Sequence, residues 1–243
     1  MNNCKKCNEP VNGNYCSNCG QPAKLKRIDK HYIVQEIASA FHAERGMLYS
    51  IKKMLLSPGK SISQYINEDR SRYVKPITYL IINSLVFTLV SNFFQIDANY
   101  FMQQSDMEFP TLNLFINWMI DYHGHSSIIS GFFVAFWIRL FFRKSGYNLF
   151  EIFILLCFIS GTSALFFSVA IILRDLTHLN SIYIPTLIAL IYSAWATGQF
   201  FDRKKAASYI KAFLSFILGA YTFGLLVTCV GVFIDMVIKP YTN

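Results

Sequence analysis

Apolar residues are arranged in two different ways along this chain. From Pro76 onward they form long, nearly unbroken runs at roughly 76–95, 126–142, 148–173, 182–201 and 209–238. A helix crossing the hydrocarbon of a bilayer needs about 20 mostly apolar residues, so the five runs predict five transmembrane helices. The last is long enough to tilt or to continue past the membrane. Before Pro76 the pattern is periodic instead. Ile33, Val34, Ile37, Phe41, Leu48, Ile51 and Leu55 recur at three- and four-residue steps, while Glu36, Glu44, Lys52 and Lys53 fall largely elsewhere. That spacing predicts an amphipathic helix over 31–56, which Gly46 can split. Ser57-Pro58-Gly59 ends it, and SISQYI opens a second short helix with Ile62, Tyr65 and Ile66 on one side. Both are expected on the membrane surface or docked under the bundle; a soluble hairpin packed on itself is the alternative. Between the first two runs, LNLFINWMI is too short to cross and is placed on the outer interface.

Composition agrees with a membrane protein. Of 243 residues 53% are hydrophobic and only 15% charged, against about a quarter charged in a soluble domain. The net charge of +8 therefore has to be read by position. All of the Lys and Arg residues except Arg174 and Lys239 fall on the side that carries the N-terminus, with Arg143 and Lys144 after the second run and Arg203, Lys204, Lys205 and Lys211 after the fourth. The first outer loop instead carries Asp97, Asp106, Glu108 and Asp121. By the positive-inside rule the N-terminus is cytoplasmic and, with five spans, the C-terminus lies outside. No cleavable signal peptide is expected, because the chain starts polar and its first long apolar run comes late.

The cytoplasmic segment opens with Cys4-x-x-Cys7 and Cys16-x-x-Cys19. Each CxxC puts two thiolates on one tight turn, within reach of a single ion. NEPVNGNY between them has the turn residues to fold back as a short hairpin. Gly20 follows the second pair, where a knuckle needs positive φ, and Asn8 holds the matching place after the first. Four thiolates fill a tetrahedral site, so Cys4, Cys7, Cys16 and Cys19 are the expected ligands of a structural zinc ion with no open position. Two disulfides suit this spacing less well, and no βαβ pattern surrounds a redox CxxC. Cys157 and Cys229 stand alone in apolar runs and read as small hydrophobes.

Residues 24–30, KLKRIDK, form a basic linker suited to anionic headgroups, with nucleic acid as the less favoured partner. Arg70, Arg72, Tyr73 and Lys75 crowd the entry to the first run, where basic and aromatic residues anchor a helix at headgroup level. The stretch ERGMLYSIKKMLLSPGKSISQYINEDRSRYVKPITYLII, preceded by the double-CxxC ribbon, resembles a bacterial membrane family filed as domain of unknown function 3667. The likeness covers roughly the first ninety residues; downstream it is one of pattern only. It implies a multispanning protein of the bacterial inner membrane with a cytoplasmic ribbon, and it implies no activity. The plan is also loosely similar to Yip-type five-span proteins, in architecture alone. The expected organisation is thus a zinc ribbon over 1–23, a linker with interfacial helices over 24–75, and an all-α five-helix transmembrane domain over 76–243.

Ionisable groups are sparse inside the runs, against what a transporter or intramembrane enzyme normally needs. Arg139, Glu151 and Asp235 lie near run ends and read as interface residues, with Glu151 and Arg139 a candidate ion pair. Small residues repeat at spacings of four in Ala220, Gly224 and Thr228, in Ala189, Ser193 and Thr197, and in Gly131 and Ala135, while Ser84, Thr88 and Ser91 form a polar strip. These predict close helix packing, between chains as well if the protein is a homo-oligomer. Asp121, His123 and His125, with His178, form the one candidate metal cluster on the outer face; a polar surface loop is the competing reading. No nucleophile or phosphate-binding motif is present. The expectation is a non-enzymatic membrane protein whose ribbon recruits or senses a cytoplasmic protein partner. A transporter, channel or membrane-perturbing bundle is the runner-up, and an enzyme using the outer histidines comes third.

Overall fold

The computed structural model describes residues 2–11, 13–20, 22, 29, 46–95, 111, 114–115, 118–119, 122–177 and 183–238. Two short strands, β1 (Asn2–Asn3) and β2 (Pro10–Val11), belong to the cysteine segment. The remainder is helical: α1 (Met47–Leu56), α2 (Pro58–Asn67), α3 (Pro76–Phe93), α4 (His123–Phe141), α5 (Leu149–Thr177), α6 (Tyr183–Asp202) and α7 (Ala206–Ile238). Helices α3, α5, α6 and α7 are long and apolar enough to cross a membrane, so the chain is a multi-pass membrane protein. The apolar part of α4, His125–Phe141, is shorter.

Local chemistry sets the starts. Pro58 and Pro76 occupy the first positions of α2 and α3, where the missing N–H would have no helical partner anyway. Asn148 and Glu151 close a reciprocal box on α5: the Asn148 N–H donates to Glu151 Oε2 at 2.7 Å and the Glu151 N–H to Asn148 Oδ1 at 2.8 Å. This capping box replaces the expected Glu151–Arg139 pair, and Arg139 reaches the Arg143 carbonyl instead.

The helices bury polar residues beside apolar ones and leave large apolar side chains on the outside. On α3, Thr78, Asn83, Ser84 and Ser91 are buried while Leu85, Leu89 and Phe93 are exposed. Helix α5 is the hub, packed against α3, α4, α6 and both short helices. Phe158 on α5 is clasped between Tyr65 of α2 and Tyr79 of α3, each 5.4 Å away, and the Tyr79 hydroxyl meets Thr162 Oγ1 at 3.0 Å. Phe142 stacks on Phe201 at 4.0 Å, and Tyr147 lies 4.6 Å from Phe200. These contacts gather the end of α4, the start of α5 and the end of α6 at one pole of the bundle.

The small-residue expectations divide. Ala189, Ser193 and Thr197 are buried, as are Gly131 and Ala135. Ala220, Gly224 and Thr228 are exposed, because α7 turns Ala212, Ser215, Gly219 and Phe223 inward. In α1 the enclosed stripe is likewise displaced from the expected one. Ser50 and Met54 are buried, whereas Leu48 and Leu55 face out, since Ser50 Oγ is needed to accept the Val74 N–H at 2.9 Å. The part of the expected amphipathic helix before Gly46 lies outside the described residues, and Gly46 itself adopts φ 109 at the start of α1. In α2, Ile62, Tyr65 and Ile66 are buried together as the sequence pattern indicates.

The hairpin of α1 and α2 turns at Ser57 and locks onto α6. The Gly59 N–H donates to Gln199 Oε1 at 2.8 Å, and the Tyr192 hydroxyl donates to the Met54 carbonyl at 2.9 Å. A Cβ at Gly59 would come within 2.4 Å of the Phe200 nitrogen; backbone cannot yield there as a flexible side chain could. Gly59→Val is therefore expected to cost about 1–3 kcal/mol by overpacking and to lower the melting temperature in detergent by several degrees. Gly13→Val, at a site with nothing within 4 Å, should leave the melting temperature unchanged.

Candidate metal centre

Each CxxC sits in its own closed turn. Asn3 pairs with Pro10 around the first, and Tyr15 with Pro22 around the second. The expected hairpin within the intervening segment is thus replaced by two that each bracket a cysteine pair. Inside the turns the Asn8 N–H donates to the Cys4 carbonyl and the Gly20 N–H to the Cys16 carbonyl, both at 2.9 Å. Asn8 and Gly20 take φ of 64 and 70, the positive values expected of them. The two knuckles are near copies because both solve one problem, turning the chain so that two sulfurs point at a common spot.

The sulfurs do converge. Cys4 and Cys19, Cys7 and Cys16, and Cys7 and Cys19 approach to 3.5 Å, and the four ligand atoms lie within 4.8 Å of one another. None of the four is in a disulfide. Tetrahedral bonds of about 2.3 Å from one ion place sulfurs roughly 3.8 Å apart, so the spacing fits a single metal ion. Cys4 and Cys16 are buried, Cys7 and Cys19 half-buried. The Cys7 and Lys6 backbone N–H groups pull the Cys4 thiol down to about 6, helped by the neighbouring thiols of Cys19 and Cys7 and opposed by burial. A thiol so poised is largely thiolate at neutral pH, the form that binds metal.

The residues between the first two cysteines face the bundle. Lys5 Nζ donates to the Asn67 carbonyl at 3.0 Å and Lys6 Nζ to Ser71 Oγ at 2.6 Å, with Asp69 Oδ2 4.0 Å from Lys6 and 3.4 Å from Arg72. The Asp69 Oδ1 atom accepts from the Ser71 N–H and hydroxyl. Arg70 donates to the Tyr65 and Ile66 carbonyls, which lie at the open end of α2, and Tyr73 is buried. The basic-aromatic run expected to be a headgroup anchor therefore builds the corner between α2 and α3 and seats the ribbon on it. Nothing in the sequence periodicity pairs residues 5 and 6 with 67–71.

Of the outer cluster, His125 is exposed with its ring 6.0 Å from Tyr122; Asp121, His178 and the side chain of His123 lie outside the described residues. Among the described residues the four cysteines are the group able to hold a metal ion.

Residues 44–88, which hold α1, α2, the corner and most of α3, match the family described as Protein of unknown function (DUF3667), the family that this stretch resembles. The ribbon lies outside the matched residues. No curated protein and no solved structure matches the chain.

Purified without chelator, the protein should carry about one metal ion per chain by elemental analysis. Cys16→Ser should reduce this to near zero while the helices stay inserted, because the bundle folds by lipid solvation and internal hydrogen bonding rather than by the metal. A joint Lys5→Ala, Lys6→Ala variant should keep its metal and lose amide-exchange protection in the ribbon.

Proposed function

We propose that the chain is a non-enzymatic integral membrane protein whose N-terminal zinc ribbon binds a cytoplasmic protein, with the helix bundle as anchor and transmitter. The observation that carries this reading is the two-sided placement of the ribbon. One side is tied to the α2–α3 corner through Lys5 and Lys6. Another presents Tyr15, 68% exposed, beside the polar residues Asn14, Ser17 and Asn18, all exposed. An unspent aromatic in a polar surround is the composition of a protein-binding hot spot. Four thiolates with no water position suit zinc in a structural role. In this reading α4 is the fifth span, running alongside α5 and α7; the basic pole carrying Lys5, Arg72, Arg143 and Lys204 faces the cytoplasm, and the C-terminus lies outside.

Affinity capture from membranes, comparing the intact ribbon with Tyr15→Ala and Cys16→Ser, tests this. A protein retained by the first and lost with both variants supports the reading; identical captured sets from all three would remove it. Substituting His123 and His125 by alanine should leave cellular function unchanged, and loss of function at normal membrane levels would instead place the chemistry on the outer face.

A conducting bundle is favoured by one specific observation. Thr78, Asn83, Ser84 and Ser91 on α3 and Thr197 on α6 each bury a side-chain N or O atom that has no hydrogen-bond partner, and such atoms in a protein interior call for water or an ion. Flux of potassium or protons through proteoliposomes, abolished by Asn83→Leu, would move this reading ahead of the scaffold.

A further inference from the structure

Helix α6 is enclosed unevenly. Its first half leaves Ile184, Leu187, Ile188 and Ile191 exposed, whereas from Tyr192 to Phe200 nearly every residue is buried. The cover over that second half includes the α1–α2 hairpin: Gly59 lies against Gln199 and Phe200, Tyr192 bonds to Met54, and Met54, Ile62, Tyr65, Ala196 and Phe200 share one apolar cluster. Tyr192 stands ten residues before Asp202, about 15 Å along the helix axis. Where α6 crosses the bilayer, Met54 meets a residue well below the headgroups, while the Gly59 turn, against Gln199 and Phe200, lies within about 5 Å of the end of the helix, at the headgroup boundary.

A turn at the edge of the hydrocarbon faces a test, since acyl chains cannot hydrogen-bond exposed backbone. The corner meets it with protein groups at each of the following positions. The Ser57 N–H donates to the Lys53 carbonyl and the Ser61 N–H to the Ser57 carbonyl, both at 3.0 Å. Pro58 has no N–H, the Gly59 N–H is taken by Gln199, and the Met54 carbonyl by Tyr192. The face turned away from α6 is apolar: Leu48, Leu55 and Leu56 are 83%, 43% and 66% exposed. Lys52 and Lys60 are exposed beside them, Lys53 lies over the Tyr49 ring, and residues 47–67 contain no carboxylate.

We infer that α1 and α2 form a hairpin set into the headgroup boundary of one leaflet, its leucine face against acyl chains and its lysines binding the phosphates of anionic lipids. The inference rests on the multi-pass reading and adds a lipid-binding element to it. The hairpin takes over the lipid contact that the second half of α6 gives up. Long lysine side chains reach from a helix at the hydrocarbon edge to the headgroups, and three cations on two helices that carry no carboxylate favour anionic over zwitterionic lipid.

The full chain, in nanodiscs of phosphatidylcholine with 20% phosphatidylglycerol, is to be made with p-benzoylphenylalanine in place of Leu55, Leu56, Leu187 or Lys204, irradiated, and read by mass spectrometry. Lipid adducts are expected at 55 and 56 as at 187, with none at 204. The phosphatidylglycerol share of the adducts at 55 should exceed its share of the disc severalfold, and should fall to that share in the Lys52→Gln, Lys53→Gln, Lys60→Gln variant. Unreacted side chain or protein-only products at 55 and 56, with lipid at 187, overturn the hairpin and leave the spans standing. Lipid adducts whose composition ignores the lysines overturn the anionic site. Absence of lipid at 187 would instead overturn the span assigned to α6.

Discussion

Lipid does not drive transmembrane helices together, because hydrocarbon is as apolar as the side chains they would bury; fit and internal hydrogen bonding must hold them. Every part of this structure answers to that constraint. Helix α5 brings small and aromatic residues into contact with α3, α4, α6 and both short helices, and the Tyr79–Thr162 pair stitches the first turns of α3 to it. Polar groups such as Thr78, Asn83, Ser84 and Thr197 are therefore found inside beside the apolar core, and many leucines and isoleucines outside. The hairpin obeys the same rule, since its corner contributes backbone donors and acceptors to α6 rather than an apolar wedge alone.

What could be read from the sequence depended on the range of the interaction involved. Runs of about twenty apolar residues are local, and the helices fall close to where those runs lie. The knuckles are equally local: CxxC spacing, with Asn8 and Gly20 at the positions needing positive φ, specifies both turns. The orientation of each helix within the bundle was harder to read. Leu48 and Leu55 look like a core stripe by periodicity alone, yet lipid makes an outward leucine as satisfactory as an inward one, so periodicity loses its power to tell inside from outside. The same ambiguity put Ala220, Gly224 and Thr228 in a contact they do not make with the described residues. For Glu151 the overlooked signal was present: Asn148 three residues earlier is a capping-box spacing, and a local bond prevailed over a distant arginine.

The four cysteines converge where no apolar core is available. About twenty residues cannot bury enough surface to order themselves, and an ion held by the four sulfurs would replace that missing core. The arrangement also joins two kinds of order. Lys5 and Lys6 lie between the first two ligands, so the turn that shapes the metal site is the turn that touches the bundle.

The 62-residue separation between Lys5 and Asn67 sets an order of events during synthesis. The knuckles leave the ribosome well before the corner that receives them, and loop closure over such a distance is entropically slow to find its target. With a metal on its four sulfurs the first piece of the protein would reach its final shape while its seat does not yet exist. The contacts of Lys5 and Lys6 with Asn67 and Ser71 can form only after the turn into the first span has been made.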